Sequence, residues 1–290
     1  MDIDFYNASS AEKLGWSPAW FGCNYFDDEL VDAIKEFQAE MKIKPDGMCG
    51  PNTFRRKFTQ READIGRHLR HISPHRMQQS ITYNGKSYPI EWPHVVLWDD
   101  SDGSGLGNKK GSYRPMADKP LRDVKLMVVH WDAALNSHST SRILAKRGLS
   151  CHFLIDNDGT IYQTADLQDV CFHAGKVNNF SIGVEISNAF YPKYQQWYIR
   201  NGYGERPMVP ETKINGGKVE THLGFYPKQI GALRALARAV HQACGIPLAT
   251  PPEGNLHYPA VTGNYRGFVH HYQITKKKID CAGLDLETII

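Results

Sequence analysis

The chain has 290 residues, enough for about two domains, and its 41% hydrophobic and 22% charged residues are typical of a soluble globular protein. A net charge of +3 is too weakly basic for a nucleic-acid-binding arm, so we expect no nucleic acid among the partners. None of the six cysteines has the C-x-x-C spacing of a zinc ribbon or a redox motif, which predicts reduced thiols in a protein made in the cytosol.

The N-terminal residues give the first expectation about location. Met1–Phe5 is acidic and lacks the basic and apolar regions of a secretory signal peptide. No apolar run in the chain approaches the roughly 20 residues of a membrane span. The sequence therefore predicts synthesis in the cytosol and no stable membrane association, so that work outside the cytosol would need a separate route of release.

Two short helices are predicted within residues 28–60. The first has an apolar stripe with 4, 3, 4 spacing, formed by Leu30, Ile34, Phe37 and Met41. It stops before Lys44–Gly47, where proline presets φ and glycine accepts a positive φ. Pro51 then opens the second helix at its first turn. We expect a small all-α domain over residues 1–65.

Residues 66–120 predict a linker or extension with a hairpin. Asn84-Gly85, between the apolar ends Ile81 and Ile90, is typical of a type I′ hairpin turn. The Gly/Ser-rich stretch 99–107 is typical of an exposed loop.

From residue 121 onward, short apolar segments alternate with helical patterns. Strands are predicted at 125–130, 151–155, 160–163 and 181–186, and helices at 139–147 and 230–244. Strands that read as continuous apolar runs are buried on both faces. The pattern predicts an α/β domain over residues 121–290, with a mixed central β-sheet flanked by helices.

The strongest chemical signal is a set of metal-ligating residue types within this domain. His130 ends the first apolar strand, and Phe268–Cys281 offers two histidines, a lysine run, an aspartate and a cysteine. Two distant histidines with a carboxylate or thiol form a three-ligand zinc site that keeps an open position, as hydrolytic zinc requires. The residues alone leave open which of Asp280 and Cys281 is the third ligand, since zinc accepts both.

The helical segment resembles the peptidoglycan-binding domain of bacterial and phage wall hydrolases. The matching elements, in family order, are Val31–Gln38, Lys44–Gly47 and Gly50–Phe54. The resemblance covers about thirty residues and implies peptidoglycan, a glycan strand with stem peptides, as the partner.

Residues 125–285 resemble the zinc-dependent N-acetylmuramoyl-L-alanine amidases, the group that includes the peptidoglycan-recognition proteins. Five segments match the family pattern in chain order: Val128–Trp131, His152–Thr160, Phe172–Gly175, Ser181–Glu185 and His271–Ile274. The resemblance implies a zinc cofactor and hydrolysis of the amide between N-acetylmuramic acid and L-alanine of the stem peptide.

The resemblance also implies the metal ligands. His130 matches the first ligand, and His271, rather than His270, matches the second because the H-x-Q-I order follows it. Lys278-Ile279-Asp280 fits the family's K-x-D form, so we assign Asp280 as the third ligand, with Cys281 as the alternative.

Glu185 and Lys278 are the expected catalytic residues. A carboxylate on an otherwise apolar strand is costly to bury without a role, and Glu185 ends the segment Ser181–Glu185 that matches the family's S-I-G-I-E strand. By the K-x-D match, Lys278 would face the site and stabilise the oxyanion, whereas Lys276 and Lys277 would face solvent. His173 and His152 are expected to line the substrate groove or to orient a ligand.

The leading hypothesis is a monomeric phage endolysin that waits in the host cytosol and acts on the cell wall after release. A bacterial wall-remodelling or toxic amidase is an alternative within the same chemistry. A non-catalytic peptidoglycan-recognition module is an alternative of a different class, and it would follow if neither Asp280 nor Cys281 reached the metal. The aromatic segment 188–223 is longer than is usual in the family and could stack on sugars or pack a satellite core.

Overall fold

The computed structural model describes residues 2–64, 79–100 and 105–290. Eight α-helices lie in these ranges: α1 (Ile3–Leu14), α2 (Asp28–Glu40), α3 (Pro51–Asp64), α4 (Ser137–Arg147), α5 (Gln195–Arg200), α6 (Pro227–Cys244), α7 (Tyr258–Val261) and α8 (Leu286–Ile289). Among the described residues, no helix has the length and apolar content needed to cross a membrane.

The strands in these ranges are β1 (Ser80–Tyr83), β2 (Lys86–Pro89), β3 (Val95–Leu97), β4 (Tyr113–Arg114), β5 (Leu126–Trp131), β6 (Phe153–Ile155), β7 (Ile161–Gln163), β8 (Val170–Cys171), β9 (Ser181–Ile186), β10 (Met208–Val209), β11 (Thr212–Ile214), β12 (Gly217–Val219), β13 (His222–Leu223) and β14 (Gly267–His270). Six of them form the main sheet, in the order β14-β5-β9-β6-β7-β3.

The N-terminal module, residues 2–64, is helical as predicted. Each residue of the predicted stripe is buried, and the stripe begins where the Asp27 side chain accepts a hydrogen bond from the backbone N–H of Leu30. Gln38 fixes the following turn, because it donates to Asp46 and accepts from the backbone N–H of Gly47. The second predicted helix, α3, begins at Pro51.

The predicted hairpin is β1–β2, with Asn84 and Gly85 both at positive φ as a type I′ turn requires. Residues 66–120 supply more than this hairpin, since β3 pairs with β7 at the edge of the main sheet. Residues 66–78 and 101–104 of the predicted linker and Gly/Ser-rich loop lie outside the described residues.

The main sheet is mixed, which confirms the predicted α/β class. Strands β14, β5, β9 and β6 are parallel neighbours, and β7 pairs antiparallel with β6. One face packs on α6, where residues of alternating positions on β5 and β9 join the main core. The opposite face carries α4 and, beside it, the polar positions His130 and Glu185, which are register partners on β5 and β9.

The aromatic segment 188–223 forms a satellite core. Trp197 and Tyr198 on α5 are fully buried and pack with Tyr194, Tyr226 and Leu135. Arg206 stabilises this core, because its buried guanidinium donates to the Ser187 carbonyl and lies 4.2 Å from the Tyr198 ring centroid. These rings therefore serve packing rather than a sugar-stacking surface, and the role of Arg206 had no signal in the sequence.

Candidate active site

Three predicted ligands meet at the edge of the sheet where β5 and β14 end. His130 is the fifth residue of β5, and His271 directly follows the neighbouring parallel strand β14. The His130 Nδ1 lies 2.9 Å from the His271 Nδ1 and 3.2 Å from the Asp280 Oδ2. The Asp280 Oδ2 is also 2.9 Å from the His271 Nδ1, and all three side chains are buried.

This donor set fits a metal ion. Three lone-pair atoms lie within 4.8 Å of one another, and ligands on a tetrahedral zinc at about 2.0–2.2 Å would be separated by roughly 3.3 Å. Burial is the larger cause and the nearby His271 the smaller one that together lower the pKa of His130 to about 4, so its imidazole is neutral. Although burial raises the pKa of Asp280, the two histidines hold it well below its ordinary value, so the carboxylate is ionised.

The other histidine of the pair, His270, points away from this cluster. Its ring stacks on Tyr272 with a centroid separation of 4.7 Å, and its Nε2 lies 3.4 Å from the Glu253 Oε1. His271, not His270, is thus the histidine that the structure brings to His130.

Cys281 also lies outside the cluster. Its side chain is fully buried in the main hydrophobic core, and burial raises the pKa of its thiol well above the ordinary value. A neutral thiol in an apolar core is a poor metal ligand. Asp280 is therefore the residue of this pair that the structure brings to both histidines.

Glu185 stands beside the cluster as the register partner of His130. Its Oε2 is buried and has no hydrogen-bond partner among the described residues. Burial, together with the charges of Asp132 and Asp280, raises the pKa of Glu185 to about 8. A buried carboxyl without a partner costs free energy, so this position favours proton transfer over a structural role.

A protein-family model described as N-acetylmuramoyl-L-alanine amidase matches residues 120–283, more than half of the chain. The chain belongs to the N-acetylmuramoyl-L-alanine amidase family. A second model, described as a putative peptidoglycan binding domain, matches residues 15–56.

One similar protein is the putative N-acetylmuramoyl-L-alanine amidase RC0497 of Rickettsia conorii, 33% identical over 97 residues. That match covers 29% of this chain and 35% of the relative, so it spans about a third of the relative's length. The endolysin amidase LysCS of Clostridium intestinale is a similar solved structure, at 19% identity and a TM-score of 0.37, over 69% of this chain and 95% of that one. Another is AmiD of E. coli, at 23% identity and a TM-score of 0.36, over 59% and 56%.

In the amidase domain, here residues 120–283, His173 supports the first predicted ligand. Its Nδ1 lies 3.1 Å from the His130 Nε2, and its Nε2 lies 3.2 Å from the Ser181 hydroxyl. Hydrogen bonding to the second ring nitrogen fixes the orientation of a metal-ligating histidine. Gly183 makes room for this arrangement, because a Cβ there would lie 2.6 Å from the His173 ring.

Of the two roles predicted for His152, its position favours orienting a ligand, because it lies behind His173 with a ring-centroid separation of 5.9 Å. Its Nδ1 accepts a hydrogen bond from the backbone N–H of Gly183, and its Nε2 lies 3.1 Å from the Asp169 carbonyl oxygen. The ring is fully buried, and burial lowers its pKa to about 3. His152 thus links β9 to the loop that contains Asp169 through hydrogen bonds of its two ring nitrogens.

A cleft of about 450 Å³ opens beside His271 in the amidase domain. Lys278 is half-buried at its wall, whereas Lys276 and Lys277 face solvent as predicted. Burial lowers the pKa of Lys278, and the charges of Asp280 and Glu185 oppose that shift. Further residues of the wall are His173, Ala174, Gly175, Lys176, Val261, Ile274 and Thr275.

Proposed function

We propose that the protein is a zinc-dependent peptidoglycan hydrolase that cleaves the amide between N-acetylmuramic acid and L-alanine. The observation that carries this proposal is the cluster of His130, His271 and Asp280 with Glu185 beside it, whose buried Oε2 has no hydrogen-bond partner among the described residues. Membership of the amidase family supplies the substrate, and the matched binding domain at residues 15–56 supports peptidoglycan as the partner.

The predicted ligands would hold zinc through the Nδ1 atoms of both histidines and through the Asp280 carboxylate. Bound zinc supplies Lewis-acid polarisation and a lowered pKa for water. His173 keeps the His130 ring oriented from its far side. The Asp280 carboxylate supplies one formal negative charge to offset the cation.

Glu185 is the proposed general base and acid. Its raised pKa, near the working pH, suits a group that takes a proton from the attacking water and returns it to the L-alanine nitrogen as the amide breaks. Lys278 is proposed to stabilise the negative charge that develops on the carbonyl oxygen, because preorganised positive charge in a half-buried site acts strongly there. The cleft beside His271 would hold the flanking part of the substrate.

The test is a digest of purified peptidoglycan by the zinc-loaded protein, read by mass spectrometry for new ends. We expect new L-alanine amino termini, lost with a chelator and in Glu185→Gln. Intact peptidoglycan that nevertheless removes the protein from solution would contradict the hydrolase and favour a recognition module. The narrower expectation of a phage endolysin that acts on the host wall stays a prediction, as do the monomeric state and the choice between phage and bacterial origin.

A further inference from the structure

Helix α3 of the N-terminal module lies against the amidase domain through one face. Arg55, Thr59 and Glu62 share that face because they are spaced by four and three residues. The Thr59 hydroxyl donates to the Ala133 carbonyl oxygen at 3.1 Å, just beyond the end of β5. Glu62 accepts hydrogen bonds from the Ser139 hydroxyl and from Arg142, the latter at 2.8 Å.

The other end of α3 meets the other end of α4. Pro51 shares a cleft of about 430 Å³ with Arg147 and Leu149, which lie at and just beyond the C-terminus of α4. The two helices therefore run antiparallel, and Arg55 lies between these contacts, one turn before Thr59. Arg55 of the binding module therefore lies on the α4 side of the main sheet.

On this side of the sheet, α4 lies near β9, the strand that carries Glu185. Leu144 of α4 packs in one cluster with Cys151. A Cβ on Gly183 would lie 2.8 Å from the Cys151 Sγ, which places that thiol directly over β9. Glu185 is two residues further along β9 and points to the same face.

Two arginines on this side have unused donors. The Nε atoms of Arg55 and Arg147 are buried, and neither has a hydrogen-bond partner in the described part of the chain. Burial, together with the charges of Arg56 and Arg147, lowers the pKa of Arg55 to about 10, although the charges of Glu185 and Asp280 oppose that shift. Neighbouring guanidinium groups that repel each other and leave buried donors unpaired are typical of an anion site without its anion.

We propose that Arg55 and Arg147 form a subsite that binds a carboxylate of the stem peptide beside the scissile amide. The proposal rests on the proposed function and deepens it, since the binding module then contributes a residue to the catalytic groove. In stem peptides the residue after L-alanine is a glutamate joined through its γ-carboxyl, so its α-carboxylate is either free or amidated. Guanidinium groups pair with a carboxylate through two parallel hydrogen bonds that an amide cannot reproduce.

The experiment compares N-acetylmuramoyl-L-alanyl-D-glutamate with its D-isoglutamine counterpart. Binding is measured by calorimetry on the full chain with a chelator present, so that nothing is hydrolysed. We expect the wild type to bind the free carboxylate about 10- to 100-fold more tightly, and Arg55→Ala and Arg147→Ala each to lose most of that preference. Arg55→Lys should keep part of it, because lysine retains the charge without the paired donors.

Arg61→Ala is the matched control, because it removes the same charge from an exposed position on α3. It should bind both ligands as the wild type does. Equal affinity of the wild type for both ligands, or an equal loss for both in Arg55→Ala, would overturn the proposal. Arg55→Gln, which keeps much of the side chain's length, replaces Arg55→Ala if the alanine variant melts early.

In parallel, purified peptidoglycan is digested with the zinc-loaded wild type. A preference for the free carboxylate without release of L-alanine amino termini would contradict the proposed hydrolase activity but support the subsite. Cleavage without that preference would support the hydrolase activity and contradict the subsite, so the two proposals can fail separately.

Discussion

Two carboxylates near the ends of neighbouring strands, Asp132 and Glu185, are held in opposite ways. Asp132 accepts four hydrogen bonds, from the backbone N–H groups of Ala134 and Asn188 at 2.9 Å each and from the hydroxyls of Thr140 and Ser187. Glu185 has a buried oxygen with no partner in the described residues. The first arrangement stabilises the fold, and the second costs stability but leaves Glu185 free for the proton transfer proposed above.

The largest effect should come from the predicted ligands. Asp280→Ala should remove zinc and lower amide cleavage by on the order of 10³-fold or more, because the three predicted ligands lose their one carboxylate. Zinc content per chain and release of L-alanine amino termini are measured together. Cys281→Ala is the control and should keep both, although the core loses about 1 kcal/mol of stability. Zinc loss in Cys281→Ala alone would reverse the assignment.

Glu185→Gln should separate activity from stability. Cleavage should fall by about 10²- to 10⁴-fold, because the proton acceptor is lost. Zinc content should stay the same, and the free energy of unfolding in urea should not fall, since no hydrogen bond to the buried Oε2 is broken. A variant that remained active would place the general base elsewhere.

Asp132→Ala should show the opposite pattern. Four donors lose their acceptor, so we expect the free energy of unfolding to fall by about 3 kcal/mol in urea titrations. Thr140→Val tests one member of the network and should cost about 1 kcal/mol, most of which should disappear in the Asp132→Ala background. Independent costs for the two changes would contradict a shared network.

The smallest effect concerns pH in the metal-free protein. The folded-state pKa of Glu185, about 8, is higher than its ordinary value of 4.5. The protonated Glu185 therefore contributes fully to the free energy of unfolding below about pH 4.5, and this contribution is lost as the pH rises through 8. The melting temperature of wild type relative to Glu185→Gln should fall across that window, with a chelator present. If the melting temperatures of the two proteins changed with pH in the same way, burial would not destabilise the ionised Glu185 carboxylate.

Much of the site could be predicted because it depends on short segments with a fixed chemical pattern. His130 at a strand end and the run around His271 and Asp280 carry their residue types in the sequence, and parallel pairing of β5 with β14 brings them together. The order of segments along the chain was enough to predict the mixed sheet. The choice between the two roles of His152 could not be made from sequence, because a motif gives a position in the chain and not the backbone groups that surround the ring.

The contacts between modules could not be predicted. Arg55 and Arg147 are far apart in sequence, and their positions depend on how α3 packs on α4. The aromatic segment was ambiguous for the same reason, since rings that stack on a sugar and rings that fill a satellite core have the same composition.

The packing of α3 on α4 has a consequence for action on a polymer. A binding domain on a long flexible linker raises the local concentration of substrate over a broad range of distances. Here Thr59, Glu62 and the pair Arg56–Tyr191 fix the module against the amidase domain. With the module fixed in this way, we expect the enzyme proposed above to cut the stem at a set distance from the point where the module binds the glycan. Replacing the module with one of different size would change that distance as well as the affinity.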